Sequence, residues 1–204
     1  MFLLSVSWES RFPAEAGLKS SSAVLSCVAS ALEAMLRPAW GVEEWGRVIA
    51  VVSRREGLSI TGAYDDAVAT LGKGVYVTDN RVMRVLAHFP SGGLEALVAW
   101  KGGTRPIASV RPEDFARLAP YYRAAHALAL GGRWVEAMLL NGVVTSIALG
   151  EGGDFIQEAL SHPGTRAAGV TGKGPALFAV GSGIRDLASR AEDLGYRVIV
   201  SRLA

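Results

Sequence analysis

Apolar residues recur at helical spacing in two segments near the start of the chain. The spacing predicts one helix over Ser20–Leu36 and a second over Val42–Arg55. Pro38 separates them, because the residue before a proline avoids the helical region. Four apolar residues of the second helix share one face: Trp45, Val48, Ile49 and Val52. We expect this face to be buried.

Several shorter segments have the composition of β-strands. A strand is predicted at residues 2–8 and another at 75–78, with a short helix beginning near residue 63 between them. Two apolar runs follow at residues 81–89 and 94–100, joined by a Pro-Ser-Gly-Gly turn. This arrangement predicts an antiparallel meander.

The pattern becomes largely helical after residue 103. Three helical pieces are predicted between residues 112 and 150, with breaks near Pro120 and at residues 131–132. The remaining elements are a helix at 155–160, strands at 167–171 and 176–180, a helix at 184–194 and a strand at 196–201. We predict an α+β fold with helices on one face of a sheet, divided into lobes at residues 1–103 and 104–204.

Composition narrows the class of protein. Half of the 204 residues are hydrophobic and a fifth are charged, which is typical of a globular protein. The net charge of +2 gives no support to a nucleic-acid partner. The single cysteine, Cys27, excludes an internal disulfide, fits a cytoplasmic location and is expected to be a small buried residue of the first helix. No apolar run approaches the ~20 residues of a membrane span, and no signal peptide is recognisable.

The three histidines, His88, His126 and His162, share no short spacing with each other or with Cys27. The sequence therefore predicts no zinc site, and structural or surface roles are expected for all three.

A Gly-Ser segment directly precedes the first predicted helix. Gly17 allows the backbone to turn and approach a ligand closely, and the serines after it suit a helix start. Free N–H groups and the dipole at such a helix start attract an anion, worth roughly 0.3–1 kcal/mol per charge. Many helices that begin this way bind nothing, so local chemistry leaves both interpretations open. The segment matches neither the Walker nor the Rossmann pattern.

Two further features have the chemistry of a phosphate-transfer site. Asp65 and Asp66 stand near the start of the predicted short helix, where they supply a base or merely complement the helix dipole. Three glycines, Gly169, Gly172 and Gly174, lie within six positions late in the chain. Because glycine costs backbone entropy, this density favours a loop that lets a ligand approach over a plain hairpin.

Taken in chain order, these three segments resemble the GHMP kinase superfamily. Its phosphate loop reads Pro-x-x-x-Gly-Leu-x-Ser-Ser, as residues 13–21 do here, and its late loop reads Gly-x-x-Gly-x-Gly-Pro, as residues 169–175 do. The archaeal-type shikimate kinases are the most similar branch, since their loop reads Gly-Leu-Lys-Ser-Ser-Ser-Ala and their acid motif resembles residues 61–67. Other branches usually have glycine at the position of Lys19.

The resemblance implies a two-lobed GHMP kinase fold and transfer of the γ-phosphoryl group of ATP to the 3-hydroxyl of shikimate. It implies Asp65 as catalytic base, with Asp66 as an orienting or structural acid. It implies ATP and Mg²⁺ as cofactors, with Ser21 and Glu56 as candidate metal ligands. The candidate phosphate-binding residues are Pro13, Ala14, Glu15, Ala16, Gly17, Leu18, Lys19, Ser20, Ser21, Ser22, Ala23, Gly169, Gly172 and Gly174.

The sequence departs from the family pattern in two places. Lys173 stands where the family usually has a small residue, and it either contacts phosphate or points into solvent. The family also carries several dozen residues before the phosphate loop, so Met1 is expected to be an internal methionine and the N-terminal lobe incomplete. In-frame coding sequence upstream of the Met1 codon would agree with this expectation. A stop codon there would favour a non-catalytic nucleotide-binding module, and a homoserine- or mevalonate-type kinase is the other alternative.

Overall fold

The computed structural model describes residues 5–7, 9, 17–59, 61–103 and 111–204. The strand predicted at residues 2–8 lies mostly outside these ranges, and residues 5–7 have no regular secondary structure. The elements of the first half are α1 (Ser20–Leu36), α2 (Val42–Arg55), α3 (Tyr64–Leu71), β1 (Val75–Asp79), β2 (Arg84–Phe89) and β3 (Glu95–Trp100). The predicted bounds of α1 and α2 are confirmed.

Helix α2 packs against α1 and α3 along a stripe that differs from the predicted one. Trp45 and Ile49 are buried as expected, in a cluster with Ala29 of α1 and Ala67 of α3. Val48 and Val52 are exposed, so their predicted burial is wrong. The buried stripe instead continues through Gly46, Ala50 and Ser53. The reason is the close approach of α3, since a Cβ at Gly46 would lie 2.7 Å from Val68 Cγ1.

The second half contains α4 (Pro112–Ala116), α5 (Ala119–Leu130), α6 (Trp134–Leu149), α7 (Gly153–Ser161), β4 (Thr165–Val170), β5 (Leu177–Gly181), α8 (Leu187–Asp193) and β6 (Arg197–Arg202). This order confirms the predicted helices and strands. The break predicted near Pro120 falls just before it, because the proline lies in the first turn of α5, where no hydrogen-bond donor is needed.

The strands form two antiparallel sheets. β1 and β2 pair with each other, whereas the second sheet has the order β4-β5-β3-β6. The predicted meander is therefore wrong, because β3 pairs with β5 and β6 and not with β2. β2 alternates between exposed and half-buried residues, while β3 is covered on both faces, as a central strand requires.

Helices cover both faces of the four-stranded sheet, so the prediction of helices on a single face is also wrong. Leu97 and Ala179 pack toward α7 and α8, in a core that contains Phe155 and Leu187. Residues of the opposite parity, including Val180, pack toward α6. This division follows from the two-residue period of a strand.

The predicted lobe boundary near residue 103 does not coincide with the boundary between the sheets. β3 ends at Trp100, yet both of its partner strands lie beyond residue 170. No helix among the described residues is both long and apolar enough to cross a membrane.

Candidate active site

The first turn of α1 offers free backbone N–H groups. Lys19 precedes the helix in the left-handed region with φ 58°, and no side chain among the described residues caps this end. Ser21 is exposed, and Ser22 is buried. An anion that approaches the helix end therefore meets the Ser21 hydroxyl and N–H groups that have no cap from the described residues. The predicted ligands Pro13, Ala14, Glu15 and Ala16 lie outside the described residues.

The late glycine loop lies directly on the residues before α1. The Thr171 hydroxyl donates a hydrogen bond of 2.6 Å to the carbonyl oxygen of Gly17. A Cβ at Gly17 would lie 2.6 Å from the carbonyl oxygen of Gly174, so only glycine permits this approach. A Cβ at Gly172 would lie 2.9 Å from Lys19 Cε. Two segments that lie 154 residues apart at the Thr171–Gly17 hydrogen bond thus form one cradle.

Lys19 also connects the cradle to the acid motif. Its Nζ lies 2.8 Å from Asp66 Oδ2, and the Asp66 side chain is only 13% exposed. Burial raises the pKa of the Asp66 carboxyl, the Lys19 ammonium offsets part of this shift, and the charge of Asp65 adds to it. Asp66 is therefore a structural acid that fixes the position of Lys19.

Asp65, at the start of α3, has a different partner from Asp66. Its carboxylate is held in place by Asn80. Asn80 Nδ2 donates a hydrogen bond of 2.6 Å to Asp65 Oδ1, and the Asp65 backbone N–H donates one of 3.0 Å to Asn80 Oδ1. The Thr78 hydroxyl donates in turn to Asn80 Oδ1 at 3.1 Å. These contacts orient the carboxylate and leave its Oδ2 available for a substrate proton.

A cleft of about 300 Å³ opens beside Asp65, which is the size of a pocket for a small ligand. Sequence reasoning missed the other residues that line it: Thr78, Asp79, Asn80, Arg81, Leu86 and His126. The polar Thr-Asp-Asn-Arg run at the end of β1 was the available signal, because polar residues at a strand end after an acid motif suit a binding loop.

Glu56 was predicted as a metal ligand and Gly169 as a phosphate-binding residue, and both make contacts of a different kind. Glu56 is exposed at the C-terminal end of α2, where its N–H bonds the carbonyl oxygen of Val52. Gly169 is buried inside β4 against Gly142 of α6, where a Cβ would collide with the Gly142 backbone. The described residues contain no cluster of three or more His, Cys, Asp or Glu side chains fit for a metal.

Other sequence expectations have mixed outcomes. Cys27 is exposed, so its expected burial is wrong. His162 is buried and hydrogen-bonded to Asp186, and His88 stacks on Tyr76, as structural roles require. Lys173 is half-buried.

Comparisons with known proteins identify the family of the chain. The family model for the GHMP kinases N terminal domain matches residues 3–74. A shikimate kinase of Aeropyrum pernix is 41% identical, with 94% of this chain covering 68% of that protein. A shikimate kinase of Thermococcus kodakarensis is 36% identical, with 96% of this chain covering 71% of that protein. The chain thus spans about two thirds of the length of these relatives.

Solved structures show the same fold. The homoserine kinase of Cytophaga hutchinsonii superposes with a TM-score of 0.64 at 19% identity, over 96% of this chain and 68% of that one. The galactokinase of Lactococcus lactis superposes with a TM-score of 0.63 at 14% identity, over 94% and 66%. Together with the sequence identities to the archaeal proteins and the family-model match, these superpositions confirm the predicted α+β GHMP kinase fold. The predicted resemblance to the archaeal-type shikimate kinases is confirmed as well. The chain therefore belongs to the archaeal shikimate kinase family of the GHMP kinases.

Proposed function

We propose that this chain transfers the γ-phosphoryl group of ATP to the 3-hydroxyl of shikimate. The observation that carries the proposal is the arrangement around the start of α3. Asp66 bonds Lys19 of the phosphate cradle, while the neighbouring Asp65 lines the cleft. A triphosphate in the cradle and a hydroxylated acceptor in the cleft would therefore meet at this helix end.

The cradle suits a triphosphate group. The uncapped N–H groups of α1 and the Lys19 ammonium supply donors and positive charge, and the glycines of the late loop allow close approach of the backbone. Ser21 is the candidate Mg²⁺ ligand, and Glu56 stays a weaker candidate because it lies at the far end of α2. The metal neutralises phosphate charge when bound, which is its usual contribution to phosphoryl transfer.

Asp65 is proposed as the base that accepts the proton of the acceptor hydroxyl. Its carboxylate is oriented by Asn80, so little reorganisation is needed when the substrate enters. A positioned base typically accelerates proton transfer by about 10²–10⁴-fold, or roughly 3–5 kcal/mol of barrier. Most of the remaining catalysis of phosphoryl transfer comes from positioning and charge neutralisation.

The proposal includes the binding partners and the cellular location of the protein. Shikimate and ATP are the small-molecule partners, with no nucleic acid or membrane involved. A cytoplasmic location is consistent with a single, exposed cysteine.

A coupled assay of ADP release tests the function. We expect turnover with shikimate and none with homoserine or mevalonate, at equal concentrations of ATP and Mg²⁺. Turnover with homoserine or mevalonate alone would replace the assignment with another kinase of the superfamily. ATP binding without turnover of any acceptor would support a nucleotide-binding module.

A further inference from the structure

The cleft beside Asp65 has one wall built by the turn between β1 and β2. Asp79 is the last residue of β1, Asn80 and Arg81 belong to the turn, and His126 of α5 also lines the cleft. Leu86 of β2 adds an apolar patch. The lining therefore combines hydrogen-bonding groups, a cation and a small apolar surface, which suits a compact polar ligand with one apolar face.

Asp79 holds the Arg81 side chain in a fixed orientation. The Asp79 carboxylate accepts hydrogen bonds from Arg81 N at 2.9 Å, Nε at 3.1 Å and Nη2 at 2.8 Å. A guanidinium has five N–H donors, and Asp79 occupies two of them, so three stay available for another acceptor. The side chain is 88% exposed, so a ligand can reach these donors with little desolvation of the protein.

The charge balance of the cleft makes this arginine important for an anionic ligand. Asp65 and Asp79 both line the cleft, and the hydrogen bonds from Arg81 lower the pKa of Asp79 to about 2. Two carboxylates repel a ligand carboxylate. Among the described residues of the lining, Arg81 alone carries a permanent positive charge.

We infer that Arg81 binds the carboxylate of the acceptor, and that Asp79 positions the guanidinium for this contact. The inference rests on the proposed function for the identity of the acceptor, shikimate, which carries a single carboxylate on a hydroxylated ring. The planar fork of arginine matches a carboxylate in a bidentate pair. Leu86 and Asp65 line the same cleft, so an acceptor held by Arg81 would have an apolar side chain and the proposed base within the same site.

The test compares Arg81→Gln with Arg84→Gln. Arg84 is an exposed arginine at the start of β2 and is not part of the cleft lining, so it is a matched control. We expect Arg81→Gln to raise the KM for shikimate by roughly 10–100-fold, the effect of losing hydrogen bonds to a charged group. The KM for ATP and the melting temperature should stay near those of the unchanged protein.

Two further measurements identify the carboxylate as the contacted group. The unchanged protein should discriminate against the carboxamide analogue of shikimate, and Arg81→Gln should lose most of this discrimination. Arg81→Lys keeps the charge but not the fork, so its KM for shikimate should be intermediate. Equal KM values for shikimate in Arg81→Gln and Arg84→Gln would overturn the inference, as would an equal loss of affinity for ATP.

Direct titration with shikimate, in the presence of a non-hydrolysable ATP analogue, separates this inference from the proposed function. Arg81-dependent binding without turnover would contradict the function and support the carboxylate site. Turnover that is insensitive to Arg81 would support the function and overturn the site. Absence of both binding and turnover would overturn both.

Discussion

Asp65 and Asp66 are neighbours at the start of α3, yet their carboxylates have different partners. Asp66 is buried against the Lys19 ammonium, whereas Asp65 is held by the amide of Asn80 and lines the cleft. Successive helical residues point about 100° apart, so one helix end serves two sites. We therefore propose Asp65 for the chemistry, while Asp66 connects α3 to the cradle.

Asp65→Asn tests the role of the base. The substitution keeps the size of the side chain and an oxygen for Asn80, but it removes the proton acceptor. We expect kcat to fall by at least ~10²-fold, with the affinity for ATP nearly unchanged. Steady-state kinetics with shikimate and ATP varied separately measure both quantities.

Asp193→Asn is the matched control, because Asp193 is an exposed acid at the end of α8. Its kcat should equal that of the unchanged protein. A kcat for Asp65→Asn within a few-fold of this control would remove Asp65 from the catalytic role.

The acid pair was visible in the sequence, but its division of roles was not. The pair could be placed at a helix start from composition, while the Lys19–Asp66 contact joins residues 47 positions apart. Asn80 was missed for the same reason, since its contact with Asp65 depends on the path of the chain through β1. The local sequence pattern predicts the secondary structure in which a residue lies. Tertiary packing decides which residues from distant segments make contact.

Packing between α6 and β4 explains one of the three late glycines, Gly169. α6 lies against β4 at Gly142 and Gly169, where each glycine leaves room for the backbone of the other. A Cβ at Gly142 would lie 2.7 Å from Gly169 Cα. The glycine at 169 is therefore explained by helix–sheet packing as well as by its proposed phosphate role.

Gly169→Ala distinguishes these two explanations. Packing predicts a loss of about 1–3 kcal/mol in the free energy of unfolding, as overpacking of a core usually produces. The KM for ATP should change little in the folded fraction. Urea unfolding and steady-state kinetics provide the two measurements.

Gly153→Ala is the control, because a Cβ there would meet no atom within 4 Å. Its free energy of unfolding should differ by less than about 0.5 kcal/mol from that of the unchanged protein. A large rise in the KM for ATP in Gly169→Ala, without loss of stability, would favour direct phosphate contact.

The Lys19–Asp66 ion pair joins the start of α1 to the start of α3, and its contribution should depend on pH. The pKa of Asp66 is raised by burial, so the ionised carboxyl opposes folding and its penalty disappears as the pH falls through the folded pKa. Lys19 reduces that penalty while the carboxyl is charged. Removal of Lys19 should therefore destabilise the protein most at neutral pH.

Lys19→Met should lower the free energy of unfolding by about 1–2 kcal/mol at pH 7, less than for a fully buried pair because Lys19 is partly exposed. The difference from the unchanged protein should shrink as the pH falls toward the ordinary aspartate range near 4. Lys73→Met, at an exposed lysine, is the control. A deficit that stays constant across this pH range would contradict the buried-pair explanation.

At the scale of the whole molecule, the order of helices and strands was predictable and their partners were not. Helical and strand periods located the elements because each buries one face. The pairing of β3 with β5 and β6 is a choice between distant strands that periodicity does not encode. The same limit explains why the presence of helices on both faces of the sheet was not predicted.

Together, the elements bring three distant segments to one place. The cradle before α1, the start of α3 and the loop after β4 meet through Lys19–Asp66 and Thr171–Gly17 contacts. Asp65, the neighbour of Asp66 at the start of α3, lines the cleft. This arrangement is the basis for assigning phosphoryl transfer to the chain.

Identification of the product tests the central claim most directly. The protein is incubated with ATP, Mg²⁺ and shikimate, and the products are analysed by phosphorus NMR with proton coupling. We predict one molecule of ADP for each molecule of a phosphomonoester whose phosphorus couples to the proton on carbon 3 of shikimate. A phosphate on another hydroxyl, or ADP release that does not depend on shikimate, would contradict the account.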